Sequence, residues 1–67
     1  MKIGKRIKTV RVAKGLSQAR LSHLSSVSQA YISELEADEK NPTISIVQKL
    51  ATALGVKVSD LLEDQAS

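Results

Sequence analysis

The 67-residue chain has no cysteine, tryptophan or phenylalanine, and only one histidine, one tyrosine and one proline. Without cysteine there can be no disulfide framework and no thiolate metal site, so packing alone must hold the fold. That usage fits a reducing, cytoplasmic location. His23, the lone histidine, lies on a helix as a solvated residue and has no nucleophile or second ligand type to pair with. The acidic pairs Asp38-Glu39 and Glu63-Asp64 fall in a loop and a tail, where carboxylates are normally solvated. No catalytic residue, metal or cofactor is expected, and the chain does not read as an enzyme. Tyr31 alone is too little aromatic surface for stacking single-stranded bases. No apolar run approaches the roughly 20 residues of a membrane span, and the first ten residues lack the apolar stretch of a signal peptide. No membrane partner is expected.

Length bounds the rest. A chain of this size makes a single domain, 1–67, and buries only about 60% of its unfolded surface. It leaves no room for an effector domain, so no small-molecule ligand is expected.

What is present is unevenly charged. Seven basic residues (Lys2, Lys5, Arg6, Lys8, Arg11, Lys14 and Arg20) precede the first acid, Glu34. From Glu34 onward, seven acids face three lysines, so the halves carry +7 and −4 within a net charge of +3. Such asymmetry suggests an electropositive face for a polyanion, and equally suits a solvated helix surface. Lys5, Arg6 and Lys8 would raise the general field.

Helix signals recur and strand signals are nearly absent. Ile3, Ile7 and Val10 form one stripe of a first helix, which Gly15 stops. Ser17 caps a second helix carrying Leu21 and Leu24 inward and ending at Ser25-Ser26. Ser28 caps a third, with Ser28, Ile32 and Leu35 inward, running to about Ala37. Asp38 to Asn41 is a loop, and Pro42 holds Asn41 extended. Thr43 caps a fourth helix with Ile44, Val47, Ala51 and Leu54 inward, closed by Gly55. Ser59 opens a short fifth helix with Leu61 and Leu62, and the tail 63–67 frays. The fold class is therefore all-α, five helices joined by short turns.

Residues 17–37 place two short helices about a tight turn, with Leu21, Val27, Ile32 and Leu35 spaced to share one core. This is the helix-turn-helix pattern, whose second helix enters the major groove. The chain also resembles the xenobiotic-response-element group of helix-turn-helix regulators, which includes phage Cro and repressor-type DNA-binding domains. The resemblance is carried by Ile3-Gly4-Lys5-Arg6-Ile7-Lys8, Arg11, Gly15-Leu16-Ser17-Gln18, Leu21, Val27-Ser28-Gln29, Tyr31-Ile32-Ser33, Leu35-Glu36, Asn41-Pro42-Thr43, Leu50-Ala51 and Leu54-Gly55-Val56. It implies a compact lambda-repressor-like domain that binds double-stranded DNA and regulates transcription. Ser22 and Ser26 depart from it, standing where the family usually has Ala and Gly. Ser26 falls at a turn position that prefers positive φ, where a non-glycine residue costs roughly 1 kcal/mol.

On the third helix the outward arc is Gln29, Ala30, Ser33 and Glu34, with Tyr31 and Glu36 on its flanks. Gln can pair with adenine, Ala can touch a thymine methyl, and Glu can accept from cytosine N4. These four residues are the candidate base readers. Glu34 must either read a cytosine or point aside, since a carboxylate repels phosphate. Phosphate contacts are expected from Gln18 with the opening of the second helix, and from Ser28 and Tyr31. The resemblance adds Lys40, Asn41 and Thr43, in the loop it places over the DNA backbone. It also implies a partly buried ion pair between Arg11 and Glu36, against the plain reading of Arg11 as a surface residue.

A homodimer on a near-palindromic operator is expected, with Ile46 and Val58 at its interface. The competing reading is a helical protein-interaction module, an antitoxin or adaptor, whose DNA contact is secondary; Ile46, off the main stripe of its helix, is the hint towards it.

Overall fold

The computed structural model describes residues 3–62 and folds them into five helices: α1 (Ile3–Ala13), α2 (Gln18–Ser25), α3 (Gln29–Glu36), α4 (Ile44–Leu54) and α5 (Val58–Leu62). Among the described residues none is in a strand. The expected fraying of 63–67 lies outside them.

Local chemistry sets the helix ends. Ser17, Ser28 and Thr43 sit in extended backbone, and their hydroxyls accept from the N–H groups of Arg20, Tyr31 and Ile46 at 3.0, 3.1 and 3.2 Å. Each satisfies one of the donors that a helix start leaves unpaired. Gly15, at φ +73°, closes α1: its N–H donates to the Val12 carbonyl and that of Leu16 to the Arg11 carbonyl. This pair of bonds needs a left-handed residue, which glycine supplies without a Cβ penalty. α5 begins one residue before Ser59. Asp60 Oδ2 accepts from the Lys57 N–H at 3.0 Å, so the capping carboxylate comes from inside the helix rather than from Ser59.

Each helix packs chiefly on two others, in a closed ring that runs α1, α3, α2, α4, α5 and back to α1. Ile3, Ile7, Leu21, Val27, Ile32, Leu35, Val47, Leu50, Ala51, Leu54 and Leu61 fill its interior. Arg6 Nε ties α1 to the Asp60 carbonyl of α5 at 2.8 Å.

Three inward assignments are corrected. Leu24 is 45% exposed, because α2 turns Gln18, Leu21, Ser22 and Ser25 towards its neighbours. At about 100° per residue, Leu24 lies well off the centre of that arc. Ile44 is 61% exposed and Leu50 takes its place in the core. Ile44 stands in the first turn of α4, at the rim, where it lines an open groove of about 370 Å³ with Ile3, Asn41, Pro42, Val47 and Leu62. Ser28 is exposed, its hydroxyl spent on the cap.

Candidate nucleic-acid interface

The turn between α2 and α3 fixes how the two helices meet. Ser26 adopts φ +62° and its N–H donates to the Ser22 carbonyl at 2.9 Å, ending α2. Ser25 is buried, and its hydroxyl accepts from the Val27 N–H at 3.2 Å. Val27 is thereby held in the core one residue before the Ser28 cap. Leu21, Ile32 and Leu35 are fully buried and set α3 against α2 from beneath.

With that face buried, α3 leaves Gln29, Ala30 and Ser33 exposed. Glu34 is half-buried, with its carboxylate 3.9 Å from the Lys40 ammonium. Tyr31 is half-buried and packs against the core. Lys40, Asn41 and Thr43 are exposed on the connection to α4, Thr43 with its hydroxyl engaged as the cap. The opening turn of α2 presents N–H groups that helix geometry leaves without an intrahelical acceptor. Ile46 and Val58 are half-buried and pack against the core with part of their surface free.

Arg11 and Glu36 meet inside the structure. Arg11 Nε donates to Glu36 Oε2 at 2.7 Å and Nη2 to Oε1 at 3.0 Å, with the side chains 11% and 4% exposed. Two further contacts were not legible in the sequence. Arg11 Nη1 donates to the Leu16 carbonyl at 2.7 Å, and Gln18 Nε2 donates to Glu36 Oε1 at 3.0 Å. The signal for them was stoichiometric: a guanidinium has more donors than one carboxylate can take, and a carboxylate more lone pairs than one guanidinium can fill. Gln18, expected from the sequence to contact phosphate together with the opening of α2, is half-buried with its amide on Glu36.

Comparison with known proteins gives the same architecture. Residues 7–61 match the family model described as helix-turn-helix. The chain is 34% identical over 65 residues to the immunity repressor protein of Bacillus phage phi105, covering 97% of this chain and 45% of that protein. It is 36% identical over 64 residues to SinR of Bacillus subtilis, an HTH-type transcriptional regulator, covering 94% and 58%. The chain thus spans about half the length of these curated relatives. The crystal structure of SinR in complex with DNA superposes with a TM-score of 0.87 at 37% identity, covering 91% of this chain and 98% of that one. The restriction-modification controller protein C.AhdI of Aeromonas hydrophila gives 0.87 at 38% identity, covering 90% and 91%.

Proposed function

The chain belongs to the xenobiotic-response-element family of helix-turn-helix proteins, and from that premise we propose that it binds double-stranded DNA sequence-specifically, as a homodimer, to regulate transcription. One observation carries the reading. α3 buries Ile32 and Leu35 completely and leaves Gln29, Ala30 and Ser33 exposed as a short, uncharged arc. Such an arc can approach base edges without repelling phosphate, and its donors and acceptors suit the major groove. Glu34 completes it, with Lys40 beside its carboxylate.

Around that arc lie the groups for the backbone. The opening turn of α2 at Gln18 offers N–H donors and a partial positive charge. Ser28, Tyr31, Lys40, Asn41 and Thr43 flank α3 at its start and on the connection to α4. Of the seven basic residues ahead of Glu34, the six other than Arg11, which is paired with Glu36, supply the long-range attraction.

A homodimer follows from area. One module of this size contacts roughly 600–1,000 Å² of DNA, little for choosing one site in a genome. Two modules about a two-fold axis double it and set the α3 helices about 34 Å apart. Ile46 and Val58 are the interface residues of this reading, since both keep apolar surface beyond the monomer core.

Enrichment of duplexes from a randomised pool, followed by footprinting, tests the proposal. A near-palindrome protected over two half-sites about 10 base pairs apart is the expected result. Protection of a single half-site, with only monomer in sedimentation at micromolar concentration, removes the dimer. Salt-insensitive, sequence-indifferent binding to DNA, with tight capture of a protein partner, would favour the interaction-module reading instead.

A further inference from the structure

The last residue of α3 is held by the first residue of α2. Gln18 Nε2 donates to Glu36 Oε1, a bond that links the two outer ends of the helix-turn-helix unit. The Glu36 side chain is 4% exposed, and both its oxygens are also engaged by Arg11, which is anchored in turn on the Leu16 carbonyl. Side chains from α1 and α2 therefore converge on one carboxylate of α3, and Arg11 ties it to the α1–α2 turn. Among the described residues, no buried side-chain nitrogen or oxygen lacks a partner.

We infer that Gln18 is a positioning residue for base reading, acting through Glu36 to set the angle of α3 against α2. The inference rests on the DNA-binding reading above. Apolar contacts among Leu21, Val27, Ile32 and Leu35 hold the helices together but are non-directional. Hydrogen bonds weaken steeply away from their preferred distance and angle, so the Gln18–Glu36 bond resists the rotation that packing tolerates. The bond also spans the distance that matters. Gln18 sits where the opening of α2 meets the backbone, and Glu36 ends the helix that carries Gln29 and Ser33. Loosening it leaves each base-reading side chain in place but lets the whole of α3 rock against the groove. Arg11 neutralises the buried carboxylate, which lets a neutral glutamine complete the site.

The two roles for Gln18 differ in what they do to sequence preference. A lost phosphate contact weakens binding to all duplexes alike, whereas a lost base contact relaxes one operator position. A positioning residue relaxes every position read by α3 at once. Gln18→Met keeps the length and apolar body of the side chain and leaves the Arg11–Glu36 pair intact, so the fold is retained and a thermal melt verifies it.

With duplexes enriched by the wild-type chain, Gln18→Met should lose about tenfold on the best operator, the scale of a coupled hydrogen-bond network. Random duplex binding should fall by clearly less than operator binding, so that the ratio of the two affinities drops. Discrimination should flatten across all the α3-read positions. In an Arg11→Met and Glu36→Met background, adding Gln18→Met should change nothing further. Equal losses on operator and random DNA, or an unchanged preference profile, overturn the inference and leave the DNA-binding reading standing. If the wild-type chain enriches no sequence, both fall.

Discussion

Gly4 of α1 lies directly against the Leu35 carbonyl of α3, so closely that a Cβ on Gly4 would overlap that oxygen and would stand 3.0 Å from Asp38 Oδ1. At Gly4, α1 meets the end of α3 backbone to backbone. Alanine is the better helix former by about 1 kcal/mol, but here it must displace backbone, and overpacking of this kind typically costs about 1–3 kcal/mol. Gly4→Ala should therefore destabilise, by up to about 2 kcal/mol net. Urea denaturation checks this, and a rise in midpoint would contradict the close approach.

Arg11 and Glu36 are buried with complementary hydrogen bonds. Removing either alone strands a charge, and Arg11→Met or Glu36→Met should cost on the order of 3–5 kcal/mol. That is most of the stability of so small a domain, so each single variant should be largely unfolded by circular dichroism at 37 °C. The double variant should recover much of the loss. Single effects under about 1 kcal/mol would be those of a solvent-screened surface pair.

Ser26 holds φ +62° in the turn between α2 and α3 and is exposed. Ser26→Gly should stabilise the domain by up to about 1 kcal/mol, since glycine relieves the left-handed strain. The measurement is the shift in thermal midpoint; a fall would mean that the serine side chain contributes more than the strain costs.

Gln29 is exposed at the start of α3. Gln29→Ala should cost about 1–3 kcal/mol at one operator position and leave random-duplex affinity nearly unchanged. Competition binding with single-position operator variants reads this directly. Uniform loss would assign Gln29 to the backbone.

Duplex affinity should fall linearly with salt on logarithmic axes, with a slope of roughly −0.9 per phosphate neutralised. Replacing Lys40 by alanine should shallow that slope by about one phosphate's worth, unless its proximity to Glu34 keeps the ammonium from the backbone. A titration between low and physiological salt separates these outcomes, and a flat response in the wild-type chain would leave the basic N-terminal half without a role in binding.

The number, order and approximate bounds of the helices were legible in the sequence because their causes are local. A hydroxyl before each of α2, α3 and α4, and a glycine after α1 and α4, act within one helical turn. The outward placement of Gln29, Ala30 and Ser33 was legible too, since Ile32 and Leu35 leave α3 only one face to expose. Leu24 and Ile44 were misjudged because burial depends on which neighbour covers a side chain, and periodicity carries no record of where the neighbours end. The start of α5 was misplaced because its cap reaches back from Asp60 instead of standing at Ser59. Tertiary structure alone decided the Gly4–Leu35 contact and the Gln18 bond to Glu36. Both join residues distant in the chain, and hydrogen bonds and van der Waals contacts form only where the packed helices have already brought the atoms together.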